Sequence, residues 1–154
     1  MLGLCTLAGL LVFYPRPVVA SPSIPFDPAN MMSVSFDISN ANFVTLNDVN
    51  VSLAIGQFGG AGTRVQSGRI PTFRTRFTNP DWEHHTLAID DKITIVLDSI
   101  LRNVASADIA IVVSYKPWML PFRREKLFRF VTFRRSDGMN YWRSWPLDEL
   151  PPRF

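Results

Sequence analysis

From Met32 to the 140s, apolar side chains recur at every second position, and this alternation limits the chain more than any other feature it has. In SVSFDIS, Val34, Phe36 and Ile38 alternate with Ser33, Ser35, Asp37 and Ser39. That places the apolar trio on one face of a strand, because successive strand side chains point to opposite faces. The pattern returns at Val49, Val51, Leu53 and Ile55; at Phe73, Thr75 and Phe77 between Arg74 and Arg76; and at Leu87 and Ile89 before a turn at Asp90 and Asp91. It continues through Ile93, Ile95 and Leu97, then Ile109, Ile111, Val113 and Tyr115, then Leu127 to Phe133, with Tyr141 to Trp145 as a last edge. Turn residues such as Asn40, Gly59, Gly60, Gly62, Asn79 with Pro80, and Asp137 with Gly138 separate these segments. Seven or eight short strands with regular turn signals and no long amphipathic helix predict an all-β, antiparallel two-sheet sandwich over residues 31–148, followed by a short tail at 149–154. One stretch breaks the rule: DSILRNVASAD, residues 98–108, spaces Ile100, Leu101 and Val104 for one or two helical turns crossing between the sheets.

A chain of 154 residues suffices for one domain with a substantial core. Its single cysteine, Cys5, lies in the first apolar stretch, so the domain forms no internal disulfide and rests on packing. From Leu2 to Tyr14 the chain carries no charge. Thirteen helical residues cover about 20 Å, short of the ~30 Å hydrocarbon core of a bilayer. As a signal peptide the stretch lacks the basic flank expected ahead of it, although Val18 and Ala20 suit cleavage before Ser21. A start upstream of Met1 would remedy both defects. The favoured expectation is therefore an N-terminal hydrophobic helix, residues 1–14, acting as a single-pass membrane anchor. Residues 15–30, with five prolines between Pro15 and Pro28, are expected as an extended spacer lifting the domain off the membrane.

No motif for chemistry stands out. His84 and His85 are adjacent, so on a strand they diverge and do not share one metal, and no metal site is expected. No G-x-S-x-G turn is present. The glycines of QFGGAGTR lack the lysine followed by Ser or Thr that a phosphate loop needs. The reading is of a non-enzyme with no cofactor.

The one distinctive surface is KPWMLPFRREKLFRFVTFRR, residues 116–135, with seven cations against one acid. This +6 exceeds the whole chain's net +3, so the remainder sums to −3 and the basicity is local. Phe128 and Phe130 share one strand face; Leu127, Arg129, Val131 and Phe133 share the other. Lys116 to Arg124, with Pro117 and Pro121, reads as a loop at a hairpin tip. Trp118, Phe122, Arg123, Arg124 and Lys126 there form the candidate contact with a membrane or a partner, aromatic groups at headgroup depth and cations on anionic lipid. The commoner outcome for such residues is the blander one: Trp118 and Phe122 fold back to cap the open end of the sandwich and the arginines are solvated. No nucleic acid partner is expected of an anchored domain facing away from the cytoplasm.

The stretch FDISNANFVTLNDVNVSLAIGQF resembles the opening hairpin of the late-embryogenesis-abundant, water-stress type domain, in which an Asn-containing corner separates two strands. That resemblance implies a sandwich of the immunoglobulin or fibronectin III kind. Over most of the chain, RIPTFRTRF, DWEHHTLAIDDKITI, ADIAIVVSYKPWMLPFRREKLFRFVT and YWRSWPLD resemble uncharacterised single-anchor bacterial membrane proteins of the rhizobial type. This likeness implies an anchor followed by a sandwich, and no activity. The present front is shorter than that group leads one to expect. The functional expectation is a membrane-anchored structural or interaction module of the cell envelope, on the periplasmic side, its partners lipid through the anchor and a neighbouring membrane protein. The alternative is a secreted, soluble ligand-binding or stress-protective sandwich released by signal cleavage.

Overall fold

The computed structural model describes residues 17–20, 27, 30–41, 44–60, 72–97, 104–118, 121–136 and 138–150. The expected helix at 1–14 lies outside them, as do residues 98–103. Among the described residues no helix is long and apolar enough to cross a membrane.

Among the described residues, nine strands form two antiparallel sheets: β1 Pro17–Ala20, β2 Ser35–Asn40, β3 Leu46–Gly60, β4 Arg76–Thr78, β5 His85–Leu87, β6 Lys92–Val96, β7 Val104–Pro117, β8 Arg124–Arg134 and β9 Asn140–Ser144. The small sheet has the order β1-β2-β6 and the large one β4-β3-β7-β8-β9, with β5 also on the outer edge of β3. The two-sheet reading from period-two alternation is therefore shown. Much of its core is made by residues that alternation selected, joined by Met31, Met32, Leu46 and Trp82. Phe36 and Ile38 of β2 and Ile95 of β6 face Val49, Val51, Leu53, Ile109, Ile111, Val113, Tyr115 and Phe130 of the large sheet, all buried. Across the gap the Phe36 ring meets Phe130 at 4.9 Å and Trp142 at 5.9 Å, tilted or edge-on as aromatic quadrupoles prefer. Trp142 Nε1 donates to the Met31 carbonyl at 2.9 Å, so the buried indole is fully paired.

Four details differ from expectation. Val104 to Asp108 continue β7 instead of a helix, because Ala107 and Val104 pack in the core and the backbone pairs with β3 as far as Gly60. Of the segment 73–77 only Arg76 and Phe77 enter a strand; Phe73 turns onto the outer face of the large sheet, filling the shallow patch of Ala54, Ala110, Val112 and Leu127. Asn40 does not head a hairpin, since β2 and β3 lie in different sheets. Its buried side chain donates to the carbonyls of Val44, Leu87 and Ala88 at 2.9–3.0 Å, which turns the chain from one sheet to the other. Finally, Pro17–Ala20 is extended, as a proline-rich spacer would be, yet it is hydrogen-bonded to β2 in the register Pro17↔Asn40 to Ala20↔Asp37. Pro17 suits this position because edge strands spare an N–H.

Candidate functional site

Four parts of the chain converge at one end of the sandwich. β7 leaves it at Pro117 and β8 returns from Arg124, with the tip between them; β3 begins there, Leu46 opposite both Pro117 and Leu87. The turn Ala88–Asp91 is joined to Asn40 by backbone bonds, Asp90 N to Asn40 O at 3.1 Å and Asn40 N to Asp91 O at 2.9 Å. Trp118 N donates to Thr45 O at 3.0 Å, fastening the tip to the β2–β3 corner. Because Pro17 pairs with Asn40, β1 also begins at this end.

The five residues singled out in the sequence are all here, in different states. Trp118 is 57 % exposed and Phe122 43 % exposed, so neither closes the end of the sandwich, and the capping expectation does not hold. The interior beneath them is already filled by Tyr115, Leu46 and Leu87. Trp118 instead walls a shallow open groove with Val44, Thr45, Asn47 and Ile89, and Ile89 is itself 53 % exposed. Arg124 lies over the Phe122 ring, 5.4 Å from its centroid. Lys126 stands on β8 opposite Val113 and is half-buried. Arg123 is engaged within the fold, donating to Asp48 and, through Nη1, to Ser114 Oγ at 3.1 Å.

Asp48 gathers the charges of this end. It sits where β3 bulges between Asn47 and Asn50, with φ +50°, a left-handed conformation that Asp tolerates better than most residues. Its carboxylate receives Arg123 and Lys116 Nζ, the latter at 3.2 Å, and lies 2.9 Å from His84 Nδ1. These contacts, His84 foremost, hold the Asp48 carboxyl down at about 2. His84, also at positive φ (+59°), donates its backbone N–H to Asn50 Oδ1 at 2.6 Å. His85 turns away, its Nε2 2.8 Å from Asp81 O, so the two rings diverge. Among the described residues no three His, Cys, Asp or Glu gather as metal ligands would. A carboxylate so stabilised is a weak base at neutral pH. What the cluster does is mechanical: it ties the β3 bulge, the 83–84 bend and the β7–β8 hairpin into one rigid end. Nearby, Thr94 Oγ1 and then Lys92 bond Asp37 and pull its carboxyl below the usual range.

A second charged centre went unread in the sequence. Asp108 and Arg129 lie on the outer face of the large sheet, both side chains wholly buried. Arg129 Nε and Nη2 grip the carboxylate at 2.9 and 2.7 Å in a two-pronged pair. Nη1 donates to the carbonyls of Pro146 and Glu149 at 2.8 and 2.6 Å, which straps the 146–149 turn over the sheet, so Glu149 of the expected tail belongs to the folded body. Phe73 lies on the guanidinium, 5.8 Å away. The sequence signal was there: opposite charges inside two apolar strands, each on the outward parity.

Comparison with known family models, characterised proteins and solved structures finds no match to this chain.

Proposed function

We propose that the protein is a membrane-anchored, non-enzymatic β-sandwich of the immunoglobulin or fibronectin III kind, acting as a structural or interaction module on the periplasmic side of a bacterial cell envelope. The observation that carries this reading is the loop end just described. Trp118, Ile89 and Phe122 stand out of a rigid, internally braced end of the fold, and exposed apolar groups grouped in this way mark contact surfaces. The strand partition supports the fold type: β1, β2 and β6 against β3, β7 and β8 corresponds to strands A, B and E against C, F and G. In that correspondence the connections from β2 to β3 and from β7 to β8 take the places of the B–C and F–G loops, which do the binding in variable domains.

Release by signal cleavage is the competing reading, and β1 weighs against it. Cutting after Ala20 would remove an edge strand paired with β2 along its whole length. Carbonate washing of membranes from cells making the full-length protein tests both. Retention in the washed membrane is expected; a soluble form beginning at Ser21 would replace this reading with the secreted one.

A further inference from the structure

We infer that the domain does not stand off its membrane but rests on it, with the end bearing Trp118 and Ile89 in contact with the lipid headgroups. The inference rests on the anchored reading. If the uncharged stretch ending at Tyr14 lies in the bilayer, only three peptide steps separate it from Pro17, and Pro17 is already in register in the small sheet opposite Asn40. Fully extended, three steps reach about 11 Å. A headgroup layer is roughly 6 Å deep on each side of the hydrocarbon. So short a tether leaves no room for a stalk. It holds the Pro17 end against the interface, and that end carries the Asn40 corner, the Ala88–Asp91 turn and the Trp118 tip.

The same geometry says which kind of contact this is. Lys116 and Arg123 are committed to Asp48, Lys92 to Asp37, and Arg124 lies over Phe122. Asp90 and Asp91 are exposed beside Ile89. The end thus carries both signs, and its outstanding members are an indole and a branched aliphatic side chain, which suit the interfacial layer of a bilayer whatever its charge. Cation attraction to acidic lipid, the natural expectation from the basic run alone, is not what this arrangement offers.

The test uses the full chain with Cys5→Ser and, singly, Ile89→Cys, Trp118→Cys or Ser136→Cys, each spin-labelled and reconstituted in phosphatidylcholine vesicles. Residues 89 and 118 are exposed, so the labels leave the core intact. Ser136 lies beyond the far end of β8, about 33 Å away along the strand. Co-flotation with the vesicles is expected. Labels at 89 and 118 should be shielded several-fold from a water-soluble nickel chelate relative to the label at 136, and high salt should not abolish the difference. Co-flotation with equal accessibility at all three positions overturns the inference and leaves the anchor standing. Shielding that requires phosphatidylglycerol, or that appears only in native membranes, overturns it in favour of a charge-driven contact or a neighbouring membrane protein. Failure to co-float removes the anchored reading itself.

Discussion

At the scale of single residues, two charged centres make opposite demands. The Asp108–Arg129 pair is fully desolvated, so removing one partner strands the other in the interior. Asp108→Ala is expected to cost about 3–5 kcal/mol, whereas replacing both residues with apolar ones of similar volume should recover much of that. Urea unfolding of Asp108→Ala and of the double variant measures it. Asp48 is peripheral, and its effect follows pH. Its carboxyl is depressed to about 2 in the fold against roughly 3.9 in an unfolded chain. It therefore stabilises fully above the unfolded value, and that contribution disappears as pH falls from about 4 to about 2. Asp48→Asn keeps a side chain that tolerates φ +50° while deleting the charge. The variant should unfold at lower urea than the parent at pH 7, and the two midpoints should converge as pH approaches 2.

At the scale of elements, Asn40 decides how β2 passes into β3. Its amide serves three carbonyls from a fully buried position, so Asn40→Ala leaves acceptors unsatisfied at the seam of the two sheets. A loss of about 2–3 kcal/mol in denaturant unfolding is expected. Much of the strand plan was legible because parity alone identifies Phe36, Ile38, Val51, Leu53, Ile109, Ile111 and Phe130 as inward. The misses have physical causes. Leu46 and Val49 are three apart, a phase slip that a strict period of two discards, and the slip is the bulge that positions Asp48. Residues 104–108 have helix-compatible spacing, but a long antiparallel partner in β3 overrides that local preference. Pro17–Ala20 read as spacer because proline argues against a strand, and only the pairing edge of β2 shows otherwise. The candidate site was legible as a list of side chains at a hairpin tip. Their division into the exposed Trp118 and Phe122 and the tethered Arg123 was not, since Asp48 and His84 come from distant parts of the chain.

At the scale of the whole molecule, β1 begins at the end of the fold where Trp118, Ile89 and Phe122 stand out, while Phe58, another exposed aromatic side chain, lies toward the far end of β3. Trp118→Ser should leave the unfolding midpoint nearly unchanged, within about 0.5 kcal/mol, because the indole is more than half exposed. Shortening the chain to begin at Ser21 should behave differently. It exposes the backbone of β2 along Asp37–Asn40, and an uncovered edge recruits other strands, so concentration-dependent self-association is expected in sedimentation. The strap over Arg129 has a bearing on biosynthesis. A ribosome delivers β7 and β8 before Pro146 and Glu149, so the guanidinium waits for these carbonyl acceptors until the chain has grown past residue 149. Closure of the large sheet's outer face thus comes after its strands have been made, and a message cut short before codon 146 yields a chain whose Arg129 keeps Asp108 but lacks the carbonyls that cover it.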